Sequence, residues 1–256
     1  MSKLDLVFKE KSKRILNVYC TAGYPALDST MKVMASLQKN GADIIELGMP
    51  YSDPLADGEV IQVSSIKALA NGMNIAVLFD QIKDMRKSIS IPVILMGYMN
   101  PILQYGFEAF CKKAKEVGVD GLILPDLPLY EFEHIYGKTI QANELDFVFL
   151  VTPETPEERL RKLDSLSTGF LYAVSSSATT GKDKDFAQVA LYLQKLQAMQ
   201  LQNPVLVGFG IKDKSTFDAV AAYSNGAIIG SAYINALSKS KDIEATTAAF
   251  LKSVLH

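Results

Sequence analysis

The sequence is poor in the residues that staple or metallate a fold. It has two cysteines, Cys20 and Cys111, and two histidines, His134 and His256. The cysteines lie far apart and form no Cys-x-x-Cys pair, which argues against a disulfide framework and against structural zinc. Cys111 falls on the apolar stripe of an expected helix and reads as core. The histidines sit in a polar helical segment and at the last position, without metal partners, so no metal site is expected. An excess of charge is also missing: 26 Lys and Arg stand against 28 Asp and Glu, and the basic residues are scattered. Nothing points to nucleic acid or to a membrane surface. No apolar run approaches the roughly 20 residues that span a bilayer, and the opening "MSKLDLVFKEKSKR" lacks the apolar core of a signal peptide. There is no low-complexity stretch and no linker. The expectation is a cytoplasmic, metal-free protein with one domain over residues 1–256.

What is present is one repeated rhythm: apolar run, polar loop, amphipathic helix, glycine, next apolar run. "LNVYCTAG", "DIIELG", "IPVILMG", "DGLILPD", "DFVFLVT", "GFLYAVS", "NPVLVGFG" and "GAIIGS" read as eight strands in order. Between the first two, a helix over 28–40 takes its buried stripe from Met31, Met34, Ala35 and Leu37, and Gly41 suits the left-handed residue that ends it. Between the third and fourth, Phe107, Phe110, Cys111, Ala114 and Val117 recur at helical spacing before Gly118. Continuous apolar strands alternating with helices predict parallel pairing with both faces covered. Eight such units in a chain of this length match an α/β fold, a (β/α)8 TIM barrel, with a doubly wound open sheet as the alternative. Extra short helices are expected before strand one, after strand two ("EVIQVSSIKALANG") and after strand eight ("SAYINAL").

In such a barrel the chemistry sits at the C-terminal ends of the strands. Alternation along strand two puts Ile44, Glu46 and Gly48 on one face and Ile45 and Leu47 on the other. With the latter pair against helices, Glu46 points into the barrel near its rim. An ionised carboxylate there is costly unless hydrogen-bonded or shifted in pKa, which favours proton transfer over packing. A structural glutamate bonded to a neighbouring strand is the plainer alternative. Asp53 and Asp57 follow in the loop "MPYSDPLADGE". Each stands in a turn-forming dipeptide, so each is also readable as an aspartate bonding its own backbone. "VLVGFGIKD" and "IIGSAYI" run from the last two strands through glycines into helices, the place where this fold commonly holds phosphate. Close packing of strand on helix would explain either loop alone; both together, at the right place in the strand count, favour phosphate. "SSSATTGKDKD", residues 175–185, is small and polar, a linker or a lid over substrate. Gly181 could add an N–H to the phosphate cradle, and Lys182 and Lys184 could attract the anion.

"ELGMPYSDPLADGEVIQ", with "TAGYP", "MGYMNPI", "LPDLP", "VTP", "GFGI" and "GSA" in the same order along the chain, resembles the tryptophan synthase alpha chain family. That resemblance implies retro-aldol cleavage of indole-3-glycerol phosphate to indole and glyceraldehyde 3-phosphate. It implies no cofactor of the chain's own, since the pyridoxal phosphate (PLP) belongs to a beta chain that receives the indole in an α2β2 complex. Carried over by residue, Glu46 would be the acid–base group, Asp57 the partner of the indole N–H, and Tyr172 a neighbour of the reacting carbons. Gly181, Gly210, Gly230 and Ser231 would bind the phosphate. Tyr19, Ile61, Met96, Tyr98 and Phe209 would line the indole pocket, Thr180 would belong to the lid, and Pro50, Asp53, Asn100 and Asp126 would face the beta chain. Two positions depart from the family: Ala178 stands where the lid segment often has glycine, and Tyr19 where an aromatic without a hydroxyl is common. Free-standing lyase activity without a partner, a phosphate-binding barrel that has lost catalysis, and a sugar-phosphate isomerase or epimerase, for which no strand-end lysine, histidine or metal is evident, are the competing functions.

Overall fold

A computed structural model describes residues 1–174, 186–208 and 210–256. Its strands are β1 (Ile15–Thr21), β2 (Ile44–Gly48), β3 (Val93–Met96), β4 (Gly121–Ile123), β5 (Asp146–Phe147), β6 (Leu150–Val151), β7 (Leu171–Val174), β8 (Val205–Gly208) and β9 (Gly226–Ile229). They form one sheet, paired in parallel, in the order β5-β4-β3-β2-β1-β9-β8-β7-β6. The two ends of that order, β5 and β6, are halves of one extended stretch. Val148 N donates to Leu122 O at 3.1 Å on one side, and Tyr172 N donates to Phe149 O at 2.9 Å on the other. The sheet therefore closes on itself, its nine segments filling eight strand positions, and the open doubly wound alternative falls away. Strand five was expected as one piece. It splits because the stagger that closes a barrel offsets each strand from the next, so its first half pairs with β4 and its second with β7.

Helices cover the outside: α1 (Lys3–Glu10), α2 (Thr30–Lys39), α3 (Glu59–Ala70), α4 (Ile75–Ile82), α5 (Met99–Tyr105), α6 (Phe107–Val117), α7 (Gly137–Ala142), α8 (Glu157–Leu166), α9 (Phe186–Ala198), α10 (Lys214–Ala221), α11 (Ser231–Ser238) and α12 (Ile243–Leu255). The three extra helices expected are α1, α3 and α11; α5, ahead of α6 between β3 and β4, is a fourth that was not expected. The stripe of α6 is the expected one, Phe107, Phe110, Cys111, Ala114 and Val117, and Gly118 ends the helix at φ 89°. The stripe of α2 is turned from expectation. Thr30, Val33, Met34, Ser36 and Leu37 are buried, while Ala35 is exposed and Met31 half-buried. The cause is that α2 packs against α12 and α4 as well as the sheet.

Alternation divides the core in two. Outward residues such as Val18, Ile45, Leu47 and Leu95 pack under the helices. Inward residues Ile15, Ile44, Ile94, Ile123, Val148, Leu206 and Ile228 fill the lower barrel, and Leu4 of α1 inserts among them. The N-terminal mouth is closed by a repeated device. Asp43 accepts from Leu16 N at 2.8 Å, Asp120 from Val93 N at 2.7 Å, Thr168 from Phe147 N at 2.8 Å and Asn225 from Val205 N at 2.8 Å. Each acceptor stands at the entry to β2, β4, β7 or β9 and satisfies an N–H near the start of the strand beside it, one that the ladder would otherwise leave bare. This end serves stability, and the opposite end is free for chemistry.

Candidate active site

Glu46 lies on the inner face of β2, in register with Tyr19 on β1 and Ile94 on β3. Only 1 % of it is exposed. Asn17 Nδ2 donates to its Oε2 at 2.9 Å. Burial pushes its pKa up to about 8, nearby Asp57 adds to the rise, and the Asn17 bond opposes it. At neutral pH the carboxyl is therefore mostly protonated, yet close enough to its midpoint to give up and regain a proton.

Asp57 comes from the loop between β2 and α3. Burial raises its pKa and a side-chain hydrogen bond with Tyr98 opposes the rise. The loop is pinned on both sides of it: Ala56 N donates to Tyr98 Oη at 3.1 Å, and Gln62 Nε2 donates to Asp57 O at 2.7 Å. A tyrosine from the loop after β3 thus holds the carboxylate, which lifts Asp57 above an ordinary turn residue. Asp53 is different. It is exposed and accepts from the neighbouring Ser52 hydroxyl, the local bonding that a turn aspartate usually makes.

Glycines on the inner face make room for two tyrosines. A Cβ on Gly48 would lie 2.1 Å from Tyr19 Oη, and one on Gly208 would lie 2.5 Å from Tyr172 Cε2. Both rings therefore lie across bare backbone at the upper rim. Both hydroxyls are held far above the usual phenol range, first by burial and then by the charges of Glu46 and Asp57. Tyr19 Oη accepts from Thr21 Oγ1 at 3.4 Å, and Thr21 in turn lies 2.7 Å from Ser64 Oγ on α3. That link helps fix α3, whose Ile61 reaches the same place: Tyr19 and Ile61 are the side chains nearest a Cβ built on Gly230. Met96 packs against both the inner and the outer core.

Gly230 and Ser231 start α11, whose N-terminus has no side-chain cap, leaving its first N–H groups available to an anion. Gly210 follows β8 with φ 47°, a left-handed conformation that glycine adopts without strain. The helix beyond it does not begin at the glycines as expected. α10 begins at Lys214, after Asp213, whose carboxylate accepts from Thr216 N at 2.9 Å in a capping box. That N-terminus is already satisfied, so of the two glycine loops only the one after β9 offers an uncapped helix end.

The four residues expected at a partner face divide. Asp53 and Asn100 are exposed, and Pro50 and Asp126 are half-buried. Asn100 Nδ2 donates to Tyr51 Oη at 3.1 Å. Asp126 accepts from Met99 N at 3.0 and 3.1 Å, fastening the loop after β4 to the start of α5. Leu55 is 85 % exposed and Leu103 47 %, so large apolar side chains lie bare beside these residues. Gly181, Thr180 and Phe209 lie outside the described residues, as does the whole segment 175–185 with Ala178, Lys182 and Lys184. Among the described residues no cluster of three His, Cys, Asp or Glu could hold a metal ion, and no helix is long and apolar enough to cross a membrane.

One residue at the site escaped the sequence reading. Asn17 stands in an apolar strand at an inward position, two residues from Tyr19. The signal is the one that singled out Glu46, a polar side chain breaking the apolar run on the inner face.

A closed parallel barrel with a buried carboxyl near its C-terminal mouth, a second carboxyl in the loop that follows and an uncapped helix end has the layout of the barrel enzymes that work at the C-terminal ends of their strands. The model of the tryptophan synthase alpha chain family matches residues 7–255. The chain is 50 % identical over 232 residues to the tryptophan synthase alpha chain of Flavobacterium johnsoniae, covering 90 % of this chain and 92 % of that one. It superposes on the tryptophan synthase subunit alpha of Legionella pneumophila with a TM-score of 0.90 at 35 % identity, covering 99 % of this chain and 97 % of that one. A tryptophan synthase complex from Pyrococcus furiosus matches with a TM-score of 0.85 at 33 % identity, over 95 % of this chain and 98 % of that one. The chain belongs to the tryptophan synthase alpha chain family. The activity of that family is a lyase step of tryptophan biosynthesis, the cleavage of indole-3-glycerol phosphate.

Proposed function

We propose that Glu46 and Asp57 carry this cleavage within a single barrel domain, with Glu46 as the acid–base group. The observation that carries the reading is the placing of Glu46, buried on the inner face of β2 and tethered by Asn17, where burial pushes its pKa up to about 8. The bond from indole C3 to the glycerol chain breaks only when the ring becomes a leaving group. Glu46 gives its proton to C3, and the ring nitrogen takes on positive charge. Asp57 accepts the N–H and stabilises that charge, a contribution made where charge develops. Glu46, now ionised, takes the proton of the glycerol hydroxyl on the adjacent carbon. The carbon–carbon bond then breaks, its electron pair returns to the ring, and indole and glyceraldehyde 3-phosphate form. The glutamate ends the cycle protonated.

Tyr19, Ile61, Met96 and Tyr98, with Phe209, form the indole pocket in this reading, and Tyr172 flanks the reacting carbons. Gly210, Gly230 and Ser231, with Gly181, hold the phosphate, and Thr180 belongs to the lid. The chain needs no cofactor of its own, and PLP remains with the beta chain. Since the Pyrococcus furiosus relative is solved as a tryptophan synthase complex, we place the beta-chain contact on Pro50, Asp53, Asn100 and Asp126, in an α2β2 assembly in the cytoplasm. The exposed Leu55 and Leu103 beside them suit a buried interface.

The test is indole release from indole-3-glycerol phosphate by the purified chain, alone and with a cognate beta chain. The expected result is slow release alone, a strong rise with the partner, loss of release in Glu46→Gln, and a fall of about 100-fold or more in kcat for Asp57→Asn. Fast release without a partner would identify a free-standing lyase. Undiminished release by Glu46→Gln would overturn the assignment of the acid–base group.

A further inference from the structure

Asn17 has no place in the reaction as written, yet it is fully buried in the barrel. Its Nδ2 donates to Glu46 Oε2 at 2.9 Å. Its Oδ1, equally buried, has no hydrogen-bond partner among the described residues. An asparagine kept for stability would satisfy both ends of its amide, because a bare buried acceptor is unfavourable and an apolar side chain of the same size would remove the penalty.

The surroundings of Glu46 show what the donor end does. Among the described residues the titratable groups around it are Asp57 from the following loop, Tyr19 on β1 and Tyr172 on β7, with the Cys20 thiol on the opposite, outward face of β1. On its other side β3 presents Ile94 and Met96. Each of the titratable groups is neutral or negative, so none favours an ionised Glu46. Asn17 is the neighbour whose hydrogen bond does.

We propose that Asn17 is a positioning residue for Glu46: its amide grips Oε2, leaves Oε1 to exchange the proton with substrate, and stabilises the carboxylate between its turn as acid and its turn as base. This rests on the reading of Glu46 as the acid–base group. Without the amide, the proton transfer to indole C3 creates an anion with no donor in a dry site, and that step slows. Substrate binding is untouched, since the amide points at Glu46 from within the barrel.

The experiment uses Asn17→Leu, with Asn17→Val as a second variant should leucine fail to fit. The titration of Glu46 is followed by 13C NMR of its side-chain carboxyl, identified by the signal's absence in Glu46→Gln. Both variants are expected to raise the Glu46 midpoint by about one pH unit or more. The expected kinetic effect is a kcat about tenfold lower or more with KM within about twofold, because the ionised state loses the stronger, charge-assisted hydrogen bond. Urea unfolding at about pH 6, where Glu46 is protonated in the folded state of every form, is expected to show little change in stability, since removal of the bare acceptor offsets the loss of the donor to Oε2. An unmoved Glu46 titration in the folded variants overturns the inference, and lost stability at that pH with the titration unmoved makes Asn17 an ordinary core residue. The titration decides the matter even if the wild-type chain releases no indole, an outcome that overturns the reading of the site instead.

Discussion

Replacing Glu46 by glutamine should make the protein more stable, by an amount that grows with pH. The carboxyl has an ordinary pKa of 4.5, and the folded chain raises it to about 8. Between those values the native state holds a proton that the unfolded chain has released, so the stability of the wild type falls as pH rises through that window and levels off above it. At about 1.4 kcal/mol per pH unit, the displacement corresponds to as much as about 5 kcal/mol on the alkaline side, with water penetration reducing it toward about 2. Glutamine has no proton to lose and its carbonyl can still accept from Asn17. The other titrating groups are common to both proteins and largely cancel in the difference. The assay is equilibrium unfolding in urea, followed by circular dichroism from about pH 5 to pH 9. The stability of Glu46→Gln minus that of the wild type should be small at the acid end, rise across neutrality and flatten above about pH 8. A difference that is constant with pH, or that rises toward acid, would refute the claim that burial dominates this carboxyl.

Two further substitutions probe opposite ends of the barrel. Gly48→Ala places a methyl group 2.1 Å from Tyr19 Oη; the ring must move, and stability should fall by about 1–3 kcal/mol while kcat/KM drops about tenfold or more as the pocket is displaced. Steady-state kinetics that match the wild type would show that Tyr19 does not shape the pocket. At the N-terminal mouth, the Arg86 guanidinium donates to Gly118 O, Ile89 O and Ile91 O and pairs with Asp120. Asp120→Ala removes the counter-charge and leaves Val93 N without its acceptor, for a loss of about 2–4 kcal/mol in urea unfolding with kcat unchanged.

Much of the fold was legible because its signal is local. Each strand announced itself as an apolar run between turn residues, and Gly118 marked a helix end that only a positive φ explains. What was not legible depends on partners distant in sequence. "DFVFLVT" gives no hint that its halves pair with different neighbours, since the offset belongs to the closed barrel rather than to the segment. The burial of α2 turned away from Ala35 because α12, from the far end of the chain, packs against it. The capping box of Asp213 and Thr216 was in plain view in "IKDKST", but the glycines before it drew the helix start forward.

The site divides in the same way. The inward, buried position of Glu46 could be read from its own strand, because it breaks an apolar alternation on the face that fills the barrel. Asp57 could not be told from Asp53 on local grounds: both sit in one turn-rich loop, and Tyr98, from beyond the next strand, separates them. The proton affinity of Glu46 was out of reach for a deeper reason, since no single residue sets it. Below Glu46 the barrel is filled by Ile15, Ile44, Ile94, Ile123, Val148, Leu206 and Ile228, and Leu4 plugs the mouth. Above it, Gly48 and Gly208 leave room for Tyr19 and Tyr172 to close over the site. The apolar layer that stabilises the closed sheet is the same layer that denies Glu46 water from below, and loss of hydration is what holds the proton on. Core and active site are thus one arrangement. The barrel gives up some stability at neutral pH by carrying a carboxyl in its interior, and in the proposed function it gains an acid that still holds its proton at that pH and, once ionised, a stronger base than an exposed glutamate.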